Sequence, residues 1–384
     1  MPKYPDFSST VQGISGSVFS ALAARIADFP GEVYPLHVGD TWLEPAIGAR
    51  MEDLQVADHP GMHRYATPHG LPELIATLHQ RVAERTGIVT SADSVLMTTG
   101  ATGALGAVTG ALLEPGDEVL ILAPYWPLIA GIVRAARARA VAVPVFERNG
   151  AADDTLQRLD GAVTRRTVAL YLNTPNNPSG HLLPPALLEE ICGWARRRGL
   201  WLLSDEVYED LQYSGEPAYC RRYASERTFS AYSFSKAFGM AGNRCGYLVG
   251  PAAAMAEVRK VSTHTFYSAP TAGQLAAQAV LSPAGDGWLE AARRRYSDLG
   301  RRAAESLDLP APAGGTFLFF DVSAKLDERG LLGFLEDCAD HGLFLAPGPS
   351  FGPFPNHVRL CFTSASPEVV ERGVEVLRKL LSGA

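Results

Sequence analysis

Short apolar runs alternate with longer stretches of helical period through the middle of the chain. Val119–Leu122, Val141–Phe146, Val168–Leu172, Trp201–Ser204, Thr228–Ser233 and Gly246–Val249 read as strands. Between several of them lie helical stretches. One runs from Pro185 to Arg198 and stops at Gly199, a residue type that ends helices well. Another begins near Gly103 and ends at the turn Glu114-Pro115-Gly116-Asp117. Strands that are continuously apolar and separated by helices imply a mostly parallel sheet covered on both faces, an α/β architecture.

The pattern changes from about residue 262. Two long helical stretches cover roughly 270 to 307. A strand (Thr316–Val322), a helix (328 to 341), a strand (Val358–Phe362) and a last helix follow. Ser366-Pro367-Glu368 opens that helix as a cap residue, a first-turn proline and an early acid. This part reads as a smaller α+β domain.

Composition narrows the classes. The 384 residues are 47% hydrophobic, enough for a large core, and 20% charged with a formal net charge of −7. A mildly acidic surface argues against general affinity for nucleic acid or anionic membranes. There is no run of about twenty apolar residues, and MPKYPDFSST has no apolar signal core, so a cytoplasmic protein is expected. The five cysteines form no CxxC pair, so neither a zinc site nor a disulfide framework is expected.

Ligands of open parallel sheets sit at the carboxyl ends of the strands. Four polar clusters fall there. Thr98-Thr99-Gly100-Ala101-Thr102-Gly103 precedes a helix, where unpaired N–H groups can hold a phosphate; a tight turn before a buried helix would look the same. Asn173 to Gly180 combines two prolines, a glycine and three asparagine amides, a rigid polar turn. Ser204-Asp205-Glu206-Val207-Tyr208 follows an apolar strand, and an acid buried there needs a cation, unless it is an exposed cap of the next helix. Ser233-Phe234-Ser235-Lys236 precedes an apolar, glycine-rich run, with Arg244 eight residues on. Of the chain's five lysines, Lys3, Lys260, Lys325 and Lys379 have terminal or charged settings. Lys236 does not: desolvation and Arg244 would lower its pKa, which suits an imine-forming amine, although a lysine snorkelling from an apolar stretch fits too.

The set resembles the class I/II aminotransferases, pyridoxal 5′-phosphate enzymes of the aspartate-aminotransferase fold (fold type I). The similarity covers most of the chain. It rests on PNNPSG (175 to 180), SDEVY (204 to 208), SFSKAFGMAGNRCGY (233 to 247), APGPSFG (346 to 352) and VRLCFT (358 to 363). It implies a large cofactor-binding domain over 46–270 and a small domain from 1–45 and 271–384. It implies that Lys236 binds the cofactor aldehyde and moves the α-proton, and that Asp205 pairs with the protonated ring nitrogen. Tyr208 and Asn177 would donate to the ring hydroxyl oxygen, and Trp126 would stack on the ring. Ala101, Thr102, Ser233, Ser235 and Arg244 would hold the phosphate. Arg359 would grip the substrate carboxylate beside Gly39 and Asn177. Tyr65 would reach the phosphate of a neighbouring subunit, implying a homodimer.

The implied reaction is transamination between an L-amino acid and a 2-oxo acid, with 2-oxoglutarate as the expected acceptor. A lyase, cyclase or synthase on the same scaffold would share the cofactor residues, and so would a regulatory module without turnover. Gly100-Ala101 stands where many relatives carry a serine or second glycine, and Trp42 where a smaller aromatic is common. Trp42, Ile14 and Val18 point to a neutral or aromatic substrate side chain.

Overall fold

The computed structural model describes residues 7–12, 14, 23–145 and 152–383. Its main sheet has seven strands: β1 (Val95–Thr98), β2 (Glu118–Ala123), β3 (Arg139–Pro144), β4 (Thr167–Asn173), β5 (Trp201–Asp205), β6 (Thr228–Ser233) and β7 (Gly246–Val249). Their spatial order is β1-β7-β6-β5-β4-β2-β3. The pairs from β6 through β5, β4 and β2 to β3 are parallel, while β7 runs antiparallel to both its neighbours.

Successive strand residues point to opposite faces. Ile121, Tyr171, Leu203 and Phe229 pack under the helices Gly100–Leu112, Leu128–Ala135 and Ala252–Thr265. Leu120, Leu170, Leu172 and Leu202 pack against Pro185–Arg197. Both faces are thus covered, which is why these strands read as continuous apolar runs.

The predicted strands are present, with ends shifted by one or two residues. The third spans Arg139–Pro144 rather than Val141–Phe146, and Phe146 lies outside the described residues. The helix expected near Gly103 begins at Gly100, and Gly199 sits at φ 71 just past Pro185–Arg197. Two strands were not foreseen: β1, too short to show a period, and the two-residue β9 (Ala346–Pro347).

A second sheet of three antiparallel strands, β8 (Phe317–Asp321), β10 (His357–Cys361) and β9, lies against Pro283–Ser306, Gly330–Ala339 and Pro367–Ser382. Pro367 occupies the first turn of the last helix as expected, but the Ser366 hydroxyl accepts no hydrogen bond from it. The N-terminal segment joins this sheet: Cys361 N donates to Leu36 O (2.7 Å), and Thr363 Oγ1 donates to Asp40 O (2.7 Å). Thr271–Val280 packs on the larger core, where Ala276, Ala277 and Val280 meet Leu74 and Val95. Among the described residues, no helix is long and apolar enough to cross a membrane.

Candidate active site

The parallel strands end along one edge, and the reversed strand begins there. Gly246, the first residue of β7, pairs with both Ser233 and Thr98, the last residues of β6 and β1. Arg244, two residues earlier, therefore meets the loop that follows β1. A cavity of about 320 Å³ opens at this edge. Asn177 and Asp205 line it from the ends of β4 and β5, and Ser233, Ser235 and Lys236 from the end of β6. Ala101 and Thr102 close one end, with Arg244. Trp126, Tyr208, Gly39 and Arg359 complete the predicted set. Tyr65 is elsewhere: it is 89% exposed and lies edge-on to Tyr267 at 5.2 Å.

Asp205 is buried, and its carboxylate meets neutral donors. Tyr171 Oη donates to Oδ2 (2.7 Å) and Val207 N to Oδ1 (3.2 Å). Burial pushes its pKa from 3.8 up to about 6, against those two hydrogen bonds. The adjacent Glu206 is buried too, held by Ser204 Oγ (2.6 Å), and burial raises its pKa well above the usual range.

Arg359 has the opposite problem. It is 5% exposed on the middle strand of the small sheet, and among the described residues no carboxylate lies within ion-pair distance. Its Nη2 donates to His37 O (2.7 Å) and Nη1 to Asn177 Oδ1 (3.1 Å), and its guanidinium lies over the Phe317 and Phe351 rings at 4.2 and 4.8 Å. Burial lowers its pKa. The Arg359 bond also orients the Asn177 amide, whose nitrogen donates to Tyr208 Oη (3.4 Å). Burial holds the Tyr208 phenol protonated.

Lys236 lines the same cavity. Its Nζ donates to Gly39 O (2.5 Å) and stands 3.7 Å from Asp40 Oδ1. Burial pulls the ammonium pKa down, and Asp40 opposes that pull. A Cβ on Gly39 would come within 3.2 Å of Phe317 and 3.6 Å of Arg359, so the missing side chain leaves the room in front of the guanidinium.

The far end of the cavity suits an anion. The helix Gly100–Leu112 starts there, and its first N–H groups have no partner within the helix. Gly100 has φ 72, and a Cβ would sit 2.9 Å from Arg244 Nη2, so glycine lets the loop close against the guanidinium. Arg244 Nη2 donates to Thr99 O (3.3 Å), and Ser233 Oγ to Ser235 Oγ (2.9 Å).

Several contributors were not foreseen. Tyr171 was read only as part of a strand, although it is a polar-tipped residue between two leucines. Phe351 was quoted within APGPSFG without a role. Arg81 and Arg85 clamp the turn after Tyr208 through Asp210 (3.1 Å) and Glu209 (2.8 Å), a contact between segments some 125 residues apart. Trp42 was expected near the side-chain pocket, but it packs edge-on to Tyr296 at 6.3 Å and does not line the cavity. Ile14 lies near Gly131, and Val18 is outside the described residues.

Among the described residues, a buried carboxylate that meets no cation, a cradle of main-chain N–H groups, hydroxyls and Arg244, and a buried guanidinium that meets no acid fit the ring nitrogen and phosphate of pyridoxal 5′-phosphate and the carboxylate of an amino acid. The fold and site define a fold type I enzyme of that cofactor. The chain belongs to the family described as aminotransferase class I and II, which matches residues 32–377. It is 33% identical over 331 residues to the aspartate/prephenate aminotransferase of Thermus thermophilus, covering 84% of this chain and 85% of that protein. It is 32% identical over 373 residues to the arginine–pyruvate transaminase of Pseudomonas aeruginosa, 93% of each. The solved structure of the Thermus thermophilus aspartate aminotransferase with maleate superposes at a TM-score of 0.88, with 29% identity over 98% of this chain and 100% of that one. The protein is a pyridoxal-phosphate-dependent aminotransferase acting on amino acid and 2-oxo acid substrates.

Proposed function

We propose that the enzyme moves the amino group of an L-amino acid with a neutral or aromatic side chain to a 2-oxo acid, 2-oxoglutarate first among the acceptors to test. Pyruvate, which the name of the Pseudomonas relative carries, is the second. The observation that carries the site assignment is the buried Asp205 carboxylate, which meets no cation among the described residues.

Pyridoxal 5′-phosphate supplies an aldehyde that captures amines and a ring that takes up electrons when the α-proton leaves. Asp205 keeps the ring nitrogen protonated. Lys236 Nζ would hold the cofactor aldehyde and would serve as the base that moves the substrate α-proton. Its lowered pKa leaves more of the amine free to do so. Tyr208 and Asn177 donate to the ring hydroxyl oxygen, and Trp126 covers the ring face. Ala101 and Thr102 hold the phosphate through main-chain N–H groups, Ser233 and Ser235 through hydroxyls, and Arg244 through its charge. Arg359 takes the substrate α-carboxylate by two parallel hydrogen bonds, in the space that Gly39 leaves. Pro127, Leu128 and Phe351 give the remaining wall an apolar character that suits an uncharged side chain.

The working unit we propose is a cytoplasmic homodimer. Tyr65 and Tyr267 form an exposed aromatic pair outside their own cavity, and Tyr65 would reach the partner's phosphate. Residues 46–270 would form the large domain, and 1–45 with 271–384 the small one. The test is borohydride reduction of the holoenzyme with peptide mapping, then one half-reaction. Modification at Lys236 and one equivalent of 2-oxo acid per site from the amino donor alone are expected, with turnover resuming when an acceptor is added. Continuous release of ammonia without an acceptor would refute amino transfer.

A further inference from the structure

Tyr171 sits on β4 in the middle of a sheet covered on both faces, between Leu170 and Leu172, and is wholly buried. A hydroxyl there is costly unless it is met. The register provides its partner. Tyr171 pairs with Leu203, and Asn173 pairs with Asp205, so Tyr171 lies diagonally behind Asp205 on the same face. Its phenol donates to Asp205 Oδ2 at 2.7 Å. The other nearby polar groups are committed elsewhere. The Asn173 amide donates to the main-chain oxygen of Asp205, and the Tyr208 hydroxyl receives the Asn177 amide. Among the described residues, Tyr171 is the side-chain donor that the Asp205 carboxylate has.

On the reading that Asp205 meets the cofactor's ring nitrogen, we propose that Tyr171 is a positioning residue for this reaction: it fixes the Asp205 carboxylate and lowers its proton affinity, and so keeps the nitrogen cationic. The carboxylate and the nitrogen share one proton. A donor aimed at the carboxylate stabilises its charged form, which leaves that proton on nitrogen. Without the donor, the proton moves toward oxygen and the ring loses its positive charge. Tyr171 keeps its own proton throughout, because burial and the neighbouring Asp205 raise its pKa well above the usual range. Glu206 Oε1 accepts from Ser204, and among the described residues no hydrogen bond joins Glu206 to Asp205.

The test replaces one atom. Tyr171→Phe keeps the ring that fills the core and removes the hydroxyl. The holoenzyme is loaded with cofactor labelled with ¹⁵N in the ring, and the nitrogen shift is followed with pH. In Y171F the nitrogen shift should lie closer to that of a neutral ring than in the parent, across the pH range where the parent's nitrogen is protonated. In the cofactor-free protein, the infrared titration of the Asp205 carboxyl, assigned by D205N, should move to higher pH. The kcat should fall roughly ten- to hundredfold, the scale of a hydrogen bond to a charged group, with KM nearly unchanged because Arg359 is untouched. Difluorotyrosine in place of Tyr171, a stronger donor, should move both readouts the other way, and it serves if Y171F does not fold. Unmoved readouts in these variants overturn the proposal even if kcat falls. If D205N also leaves the ring nitrogen unmoved, the assignment of Asp205 to the ring falls with it.

Discussion

Replacing Asp205 with asparagine should make the cofactor-free enzyme more stable at neutral pH while destroying its activity. The carboxyl titrates at 3.8 in an unfolded chain and at about 6 in the fold, where burial opposes its charge. Below pH 3.8 it is protonated in both states, and D205N and the parent should match. As pH rises toward 6 the unfolded chain ionises while the folded one keeps its proton, so the parent loses stability. Above that range the penalty is constant. At about 1.4 kcal/mol per pH unit it comes to about 3 kcal/mol. Asparagine avoids the charge and keeps one acceptor oxygen for Tyr171, at the cost of the weaker bond from Val207, which offsets part of the gain. Urea unfolding of both cofactor-free proteins between pH 4 and 8, at one protein concentration, gives the comparison. The midpoints should diverge in D205N's favour as pH rises. Pyridoxal 5′-phosphate should close the gap, because the ring nitrogen brings the missing cation to the parent alone. A D205N protein that is less stable at pH 7, or a gap that does not change with pH, would refute this reasoning.

Two further outcomes follow from the site's geometry. Arg359→Lys keeps the charge but loses the planar fork, so kcat/KM should fall by roughly ten- to a hundredfold, mostly through KM; steady-state rates over a range of amino-donor concentrations measure it, and unchanged KM contradicts the role. Gly100→Ala puts a Cβ at φ 72 and 2.9 Å from Arg244 Nη2, so the dissociation constant for pyridoxal 5′-phosphate should rise about tenfold, read by fluorescence titration against an unchanged Asp205 titration.

Much of the large sheet and the site was legible in the sequence because it is written locally. Val168–Leu172 and Trp201–Ser204 are apolar because both faces of the sheet are covered, and the polar turns that follow them stand at strand ends whatever else the chain does. A lysine between serines, ahead of an apolar run, marks itself out among five. What the sequence left open depends on partners far along the chain. That β7 runs backwards, and so brings Arg244 to the edge where its neighbours end, is a matter of pairing that no period of apolar residues encodes. Arg359 gets its place from Asn177 and His37, 182 and 322 residues away, and Tyr171 finds Asp205 through the register of two strands. Local pattern depends on neighbours in sequence and determined the elements and their loops. Which buried charge meets which partner depends on packing between elements, and that was decided only when the chain had folded.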